Sequence, residues 1–311
     1  MTPIQAAFRL LSSNRLTILI FHRVLPSLDP IFPDEPDAAR FDEMMGWMKS
    51  WFNVLPLDAA VSSLKAGTLP QRAAAITFDD GYADNYTVAL PILKKHNLSA
   101  SFFIATGFLN GGWMWNDMVI ESIRATPYHE IDLAFLQLGR QILDSPENRR
   151  QTIEKIIGKI KYLPVPERLA ITEQLADLVG VTPPADLMMT SQQLIELHHA
   201  GMQIGAHTVS HPILAKLSES KAVDEIAGSR DFLTTLLKER IRLFAYPNGR
   251  PGTDYLPEQT RLVSLLGFDA AVSTTYGAAK STSDLYQLPR FTPWDRTKLR
   301  FAARLAKNFA Q

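Results

Sequence analysis

Residues 73–82 read AAAITFDDGY, a short apolar run that ends in two adjacent acidic residues and a glycine. The continuous apolarity of Ala73 to Ile76 predicts a buried strand, and Asp79 and Asp80 then follow its carboxyl end. In α/β folds, catalytic side chains collect at this end of parallel strands. Consecutive side chains leave a strand in opposite directions, so the two carboxylates can face different targets. The stretch therefore predicts an α/β fold and the position of its site.

The same residues also suit the start of a helix. An aspartate before Tyr82 can cap the helix that is predicted to run to about Lys95. One aspartate is enough for a cap, and Gly81 permits the sharp turn that either interpretation needs. Catalysis and capping both stay open for this stretch considered alone.

The composition excludes several kinds of site. The 311 residues include 32 Lys and Arg and 32 Asp and Glu, so the formal net charge is zero and no basic field favours nucleic acid. Cysteine is absent, so any metal must be held by His and carboxylate. The apolar run at 16–21 is too short for a transmembrane segment, and residues 1–15 lack the pattern of a secretory signal. A cytoplasmic protein is the default expectation.

Strands and helices alternate along most of the chain. Strands are predicted at residues 16–21, 52–55, 73–76, 100–104, 203–206, 243–246, 270–273 and 286–291. Helices are predicted at residues 41–51, 57–65, 82–95, 190–199, 218–239, 258–266 and 298–308. This alternation predicts parallel βα units.

The alternation breaks between Trp115 and about Asp186. Helical periods occur there around 131–143, 149–160 and 167–178, with prolines between them. The sequence therefore predicts a single catalytic domain over residues 1–311, with a helical insertion at about 115–186.

A second group of candidate ligands follows the predicted strand at 203–206. Residues 207–211 read HTVSH, and two imidazoles four residues apart can converge on one metal if the backbone turns. Pro212 biases His211 away from a regular helix, which predicts a loop or a single turn. Such pairs also occur on solvated helix faces, and this alternative stays open for the pair alone.

The acidic pair and the histidine pair are stronger evidence for a metal site together than apart, because both follow strands whose carboxyl ends would meet at one rim. Two neutral imidazoles and one carboxylate form a zinc-type catalytic set with an open position for water. The second carboxylate is then free to act as a base.

The paired motifs resemble those of the polysaccharide deacetylases of carbohydrate esterase family 4. That family carries Thr-Phe-Asp-Asp-Gly and His-Ser/Thr-x-x-His motifs, which are matched here at 77–81 and 207–211. The resemblance implies a distorted (β/α)7 barrel and metal-dependent removal of N-acetyl groups from an amino-sugar polysaccharide or oligosaccharide.

The resemblance also implies roles for individual residues. Asp79 is the expected general base. The expected ligands of a divalent cation, zinc foremost with cobalt, nickel or manganese as alternatives, are Asp80, His207 and His211.

The chain departs from the family at its third motif. The family has Arg-x-Pro-Tyr where residues 245–248 read AYPN, so the arginine that steadies the base is missing. Arg290 is the predicted substitute. Asn248 stands where the family's tyrosine offers a backbone N–H to the oxyanion, and a backbone donor survives that change.

The last family motif, Leu-x-His, supplies the general acid, but no histidine follows residue 211. One subgroup, similar to the exopolysaccharide and poly-N-acetylglucosamine deacetylases, is circularly permuted and brings that strand from the N-terminus. Ile20-Phe21-His22 fits this arrangement, so His22 is the predicted acid, with a buried core histidine as the alternative.

Two other functions stay open. One is a metal-dependent amidohydrolase that acts on a non-sugar amide. The other is a non-catalytic carbohydrate-binding relative, which the missing arginine and terminal histidine would suit. Candidates for stacking against sugar rings are Trp113, Trp115 and Trp294. The sequence predicts no particular oligomeric state.

Overall fold

A curled β-sheet forms the centre of the computed structural model, which describes residues 3–182 and 184–310. The strands in chain order are β1 (Arg15–Phe21), β2 (Asn53–Val54), β3 (Ala73–Phe78), β4 (Ser101–Ile104), β5 (Glu130–Asp132), β6 (Arg140–Ile142), β7 (Gln203–Ala206), β8 (Leu243–Ala245), β9 (Ala270–Val272) and β10 (Ala279–Lys280). The main sheet has the order β10-β1-β3-β4-β7-β8-β9, and β2 also pairs with β3. All of its pairings are parallel except that of β10 with β1.

Helices surround the sheet and build most of the segment between β4 and β7. In chain order they are α1 (Pro3–Leu11), α2 (Ala38–Trp51), α3 (Leu57–Ala66), α4 (Leu90–Lys95), α5 (Trp115–Ala125), α6 (Pro146–Ile160), α7 (Val165–Val179), α8 (Ser191–His199), α9 (Glu219–Leu237), α10 (Pro257–Leu265) and α11 (Lys298–Phe309). In the described part of the chain, no helix combines the length and the apolarity needed to cross a lipid bilayer. The predicted α/β fold with a parallel sheet is confirmed, whereas α1 lies where no element is predicted.

Alternate side chains of β3 enter two different apolar layers. Ala75 packs in an inner cluster with side chains of β1, β8 and β9, inside the curl of the sheet. Ile76 and Phe78 pack in an outer cluster beneath the surrounding helices. Because side chains alternate along a strand, Thr77 and Asp79 continue the inner series. The fold therefore directs one carboxylate of the motif toward the inside of the curl.

Residues 288–291 bridge the gap between β9 and β1. The amide of Leu288 donates to the carbonyl of Ala271 at 2.9 Å, and the amide of Phe291 donates to that of Ile18 at 2.7 Å. Both contacts are parallel bridges. This late segment of the chain therefore joins the last parallel strand to the first.

The strand predicted at 286–291 is only partly correct. A 3-10 turn occupies Leu285–Gln287, because the carboxylate of Asp284 accepts a hydrogen bond from the amide of Tyr286 at 2.9 Å. Such an aspartate turn competes with regular strand pairing. The extended part begins only after this turn.

The segment between β4 and β7 has a core of its own, in which side chains of α5, α6 and α7 pack together. Helices α6 and α7 match two of the predicted helical periods. The helix predicted at 131–143 is wrong, since β5 and β6 form an antiparallel hairpin there. Its turn contains Gln137 and Gly139 with φ of 58° and 61°, in the left-handed region that ends a helix.

Candidate active site

Four parallel strands bring the predicted site residues to one rim of the sheet. His22 follows β1, Asp79 and Asp80 follow β3, His207 follows β7, and Asn248 lies three residues beyond β8. All five line one cavity of about 270 Å³. The rim that the sequence predicts for the site is therefore the rim at which the cavity opens.

Asp79 forms a buried pair with Arg290. The two guanidinium nitrogens Nη1 and Nη2 lie 2.7 Å from Oδ1 and Oδ2, and neither side chain is more than 3% exposed. Arg290 is held in turn by the carbonyl of Ser273 at 2.8 Å and the hydroxyl of Thr77 at 3.3 Å. This two-pronged geometry fixes the carboxylate in one orientation. Arg290 thus lies where the sequence predicts a substitute for the missing arginine.

Asp80 faces a different set of partners. Its backbone has φ of 76°, in the left-handed region, and its carboxylate is 8% exposed. Oδ1 lies 3.3 Å from Nε2 of His207 and 3.4 Å from Nε2 of His211. Neither carboxylate of the pair caps a helix, because both are engaged with these side-chain partners. The capping alternative is therefore wrong.

The ring of His207 is oriented by the strand beside it. Nδ1 lies 2.7 Å from the carbonyl oxygen of Ala245, so Nδ1–H donates to that oxygen. This contact fixes the tautomer and leaves the lone pair of Nε2 directed at Asp80. The residue is 1% exposed, so the ring keeps this orientation.

The loop from His207 to His211 is shaped by Glu225 of α9. One carboxylate oxygen of Glu225 accepts hydrogen bonds from the amides of Val209 and Ser210, each at 2.8 Å. His211 has φ of 51°, a left-handed conformation that costs about 1 kcal/mol outside glycine. The predicted turn is confirmed, and the solvated-helix alternative is wrong.

Asp80, His207 and His211 fit a divalent cation. Their three candidate ligand atoms lie within 4.8 Å of one another. Oδ1 of Asp80 is buried and has no hydrogen-bond partner in the described part of the chain. A buried carboxylate oxygen rarely stays unpaired, and two imidazoles with one carboxylate are a donor set for zinc and similar ions. An ion among the three would satisfy that oxygen.

Electrostatics favour the protonation states that such an ion needs at Asp79, Asp80 and His211, but not at His207. Burial raises the pKa of Asp79, but Arg290 and the nearby imidazoles lower it by more, so its pKa lies below the ordinary value. Burial also raises the pKa of Asp80, and the imidazoles outweigh that effect, so its pKa lies well below the ordinary range. Burial lowers the pKa of His211 to about 4. For His207 burial acts in the same direction, but the two carboxylates outweigh it and raise its pKa. A bound cation would displace the proton that those carboxylates favour.

The cavity has one wall from the strand ends and one from the segment between β4 and β7. Its lining residues are His22, Asp79, Asp80, Met114, Trp115, Asn116, Ile157, Lys161, His207, His211, Asn248 and Thr274. His22 is an exposed residue, so the core-histidine alternative is wrong. Of the three predicted stacking residues, only Trp115 lies in this lining. Trp113 packs near Tyr82, and Trp294 is 64% exposed beside a separate hollow.

Sequence reasoning missed two supports of this site. Glu225 holds the His207 loop, but its spacing in the chain carries no motif. Asp117 lies in the first turn of α5, and its Oδ1 accepts a hydrogen bond from the hydroxyl of Tyr82 at 2.9 Å. Both lie on helices that pack against the rim, so only the tertiary fold reveals them.

Asp117 gives the metal-free protein a pH-dependent stability. Burial raises its pKa from 3.8 to about 7, against the opposing hydrogen bond from Tyr82, and Oδ2 is buried without a partner among the described residues. The native state holds this proton more tightly than the unfolded state, so stability falls as pH rises from about 4 to 7. We expect the free energy of unfolding of Asp117→Asn to rise, relative to that of the wild type, by about 2–4 kcal/mol between the two ends of that pH window.

Denaturant unfolding of both proteins at several pH values, with metal removed by a chelator, measures this difference. Tyr82→Phe is the companion variant, because loss of the hydrogen bond should raise the pKa of Asp117 further and extend the fall in stability to higher pH. A constant difference between Asp117→Asn and wild type across the window would contradict the assignment.

The chain is similar in sequence to known proteins. A family model described as polysaccharide deacetylase matches residues 66–270, about two thirds of the chain. The putative polysaccharide deacetylase YxkH of Bacillus subtilis (strain 168) is 22% identical over 278 residues, which cover 89% of this chain and 70% of YxkH. A poly-beta-1,6-N-acetyl-D-glucosamine N-deacetylase of Staphylococcus aureus (strain MSSA476) is 37% identical over 70 residues, which cover 22% of this chain and 24% of that protein.

The fold is also shared with a solved structure. The Streptococcus pyogenes deacetylase PplD in complex with acetate matches with a TM-score of 0.63 and 20% identity, over 95% of this chain and 98% of PplD. The curled parallel sheet described above is thus consistent with the predicted (β/α)7 barrel. The resemblance drawn from the two short motifs is confirmed.

Proposed function

Since the chain belongs to the polysaccharide deacetylase family, we propose that it removes N-acetyl groups from an amino-sugar polysaccharide or oligosaccharide by metal-dependent hydrolysis. One observation carries the proposal. A buried carboxylate and two imidazoles face one another at a cavity that is also lined by Asp79, whose carboxylate is paired with Arg290 behind it. That arrangement separates a place for a cation from a place for a base, which amide hydrolysis requires.

Asp80, His207 and His211 would hold the cation, and we propose zinc because this donor set suits it, with cobalt, nickel or manganese as alternatives. When bound, the ion supplies Lewis acidity, which makes water a better nucleophile and polarises the amide carbonyl. The hydrogen bond from His207 Nδ1–H to Ala245 keeps Nε2 free for this purpose.

Asp79 is the proposed general base. Its low pKa keeps it ionised at neutral pH, so an oxygen of its carboxylate can accept the proton of the attacking water. The two hydrogen bonds from Arg290 hold that carboxylate still while it does so. Orientation of this kind removes a large part of the barrier to proton transfer.

Asn248 and His22 have the remaining proposed roles. The backbone N–H of Asn248 has no acceptor among the described residues, so it is free to donate to the developing oxyanion. One such donor is worth about 3 kcal/mol in related reactions. His22 lines the cavity and is exposed, so its imidazolium can protonate the leaving amine and then exchange with solvent.

The relatives support an amino-sugar polymer as substrate. The matching Staphylococcus aureus protein is named for deacetylation of poly-beta-1,6-N-acetyl-D-glucosamine. The cavity is open to solvent on the side of His22, which suits a chain that extends beyond the reacting sugar. We further propose that residues 1–311 act as one catalytic domain, with 115–186 as a wall of the cavity.

The test is release of acetate from β-linked N-acetylglucosamine oligomers by the metal-loaded protein. We expect turnover that is lost on chelation and restored by zinc, and Asp80→Ala should lose both bound metal and turnover. Metal content by elemental analysis separates the two effects. A metal-loaded protein that leaves these oligomers intact but hydrolyses small amides would favour the non-sugar alternative. A folded protein without metal or turnover would favour the non-catalytic one.

A further inference from the structure

The segment between β4 and β7 contributes a positive charge to the cavity. Lys161, directly after α6, is one of its lining residues and lies on the wall opposite the strand ends. It is the only lysine or arginine in that lining. A substrate whose acetamide reaches Asp79 and Asp80 therefore lies in the same cavity as Lys161.

The charge of Lys161 is not neutralised by the protein. The two carboxylates in the lining are already engaged, Asp79 by Arg290 and Asp80 by two imidazoles. Within the described part of the chain no carboxylate lies within 4.0 Å of the ammonium, and its Nζ lies 5.6 Å from the ring centre of Tyr162. The ammonium is thus available to a ligand.

A second cation stands behind the same wall. Arg168 of α7 is only 4% exposed, and its guanidinium lies 4.7 Å from the ring of Trp115, which lines the cavity. Nη1 donates to the carbonyl of Lys161 at 3.1 Å, whereas Nε is buried and has no partner among the residues described. No carboxylate of the described chain pairs with it. Arginines this deeply buried normally pair with an acid, and burial lowers the pKa of this one.

We propose that the cavity wall formed by Lys161, backed by Arg168, binds an anionic substituent on the sugar unit next to the one that is deacetylated. The substrate class is then an acidic N-acetylated polysaccharide, whose anion is a uronic acid carboxylate or a phosphate. This inference deepens the proposed deacetylase function and rests on it. Lys161 is the residue that touches the anion, and Arg168 adds positive field from behind Trp115.

A competing explanation is that Lys161 only stabilises the carboxyl end of α6, where cations are favourable. Lys159 allows the two to be separated. It lies in the last turn of the same helix, carries the same charge and is exposed, but does not line the cavity. Lys159→Ala therefore removes a helix-end charge without changing the cavity.

The experiment compares matched substrates. One is an oligosaccharide of alternating N-acetylglucosamine and glucuronic acid, and the second is the same oligosaccharide after reduction of its carboxylates to alcohols. A third carries N-acetylglucosamine units joined by phosphodiesters, which tests phosphate as the source of the anion. Acetate release gives kcat/KM for each, and calorimetry gives Kd independently of turnover.

We expect the wild type to prefer the acidic oligosaccharide over its reduced form by about tenfold at low salt, as a charge-assisted contact provides. Lys161→Ala should reduce this preference to about twofold or less through KM and Kd, and Lys161→Arg should keep most of it. Lys159→Ala should leave the preference unchanged. Preference for the phosphodiester substrate alone would identify phosphate as the anion.

The inference is overturned if neither anionic substrate is preferred over the reduced oligosaccharide, or if Lys161→Ala keeps the full preference. Failure of the proposed function looks different. In that case no oligosaccharide releases acetate, while the Kd values still report whether the acidic form binds more tightly and whether Lys161 is responsible.

Discussion

Asp79→Asn is expected to lower kcat for acetate release by about a thousandfold while the protein still binds its metal. Asparagine cannot accept the proton of water, but its amide oxygen can still accept one hydrogen bond from Arg290. Asp80, His207 and His211 are unchanged, so the cation site stays complete. KM should change little, because the loss is confined to the transition state.

The measurement needs three readouts on one preparation: acetate release, metal content and the midpoint of unfolding. Asp80→Asn is the matched control, since it makes the same chemical change at the neighbouring position and should weaken metal binding instead. If metal-loaded Asp79→Asn turned over at the wild-type rate, Asp79 would not be the base.

Arg290→Met is expected to destabilise the protein by about 3–5 kcal/mol, because it leaves Asp79 buried without its counter-charge. The two side chains are at most 3% exposed, so water cannot replace the lost hydrogen bonds. Without the guanidinium, burial dominates and the pKa of Asp79 rises. The variant should therefore also lose activity at neutral pH, where part of the base becomes protonated.

A double-mutant cycle with Asp79→Asn tests whether the destabilisation comes from the unpaired charge. The variant that carries both changes should recover more than about 1 kcal/mol relative to the sum of the single changes. Arg290→Lys keeps the charge but not the two-pronged geometry, and it should lie between wild type and Arg290→Met. Urea unfolding of the four proteins supplies the numbers. Strict additivity would show that the pair does not act as a unit.

The motif residues could be read from the sequence because short-range patterns specify them. A continuous apolar strand predicts where Asp79 and Asp80 emerge, and the alternation of elements predicts that the loop at 207–211 reaches the same rim. In the structure β3, β4 and β7 pair in parallel, so the carboxyl ends of β3 and β7 lie at the same rim, as predicted. Apolar periodicity and the polar residues that follow a strand depend only on neighbouring residues, so both can be recognised in a single sequence.

Contacts between distant elements could not be read in this way. Glu225 belongs to no sequence motif, and its role depends on how α9 packs beside β7. The position of Arg290 against Asp79 was inferred only from a family resemblance, because 211 residues separate the two. Its geometry fits that inference, and its catalytic contribution stays a prediction.

The segment between β4 and β7 shows where periodic patterns mislead. Residues 131–143 have helical spacing, but Gln137 and Gly139 in left-handed conformations favour a hairpin instead. Asp117 contacts Tyr82 and Lys161 lines the cavity because this segment packs onto the rim, and no spacing in the sequence specifies that packing. Tertiary context decided these positions over local propensity.

The bridge made by residues 288–291 affects the order in which the parts of the protein can fold. Asp79 and Arg290 lie 211 residues apart in the sequence, so their pairing depends on contacts of very high sequence separation. Such contacts form late, since loop closure over long stretches is entropically unfavourable. During synthesis β3 and its neighbours β1 and β2 can form before Arg290 has been made, so Asp79 lacks this counter-charge until then. We therefore expect the candidate site to form only after residues 288–291 have joined β9 to β1.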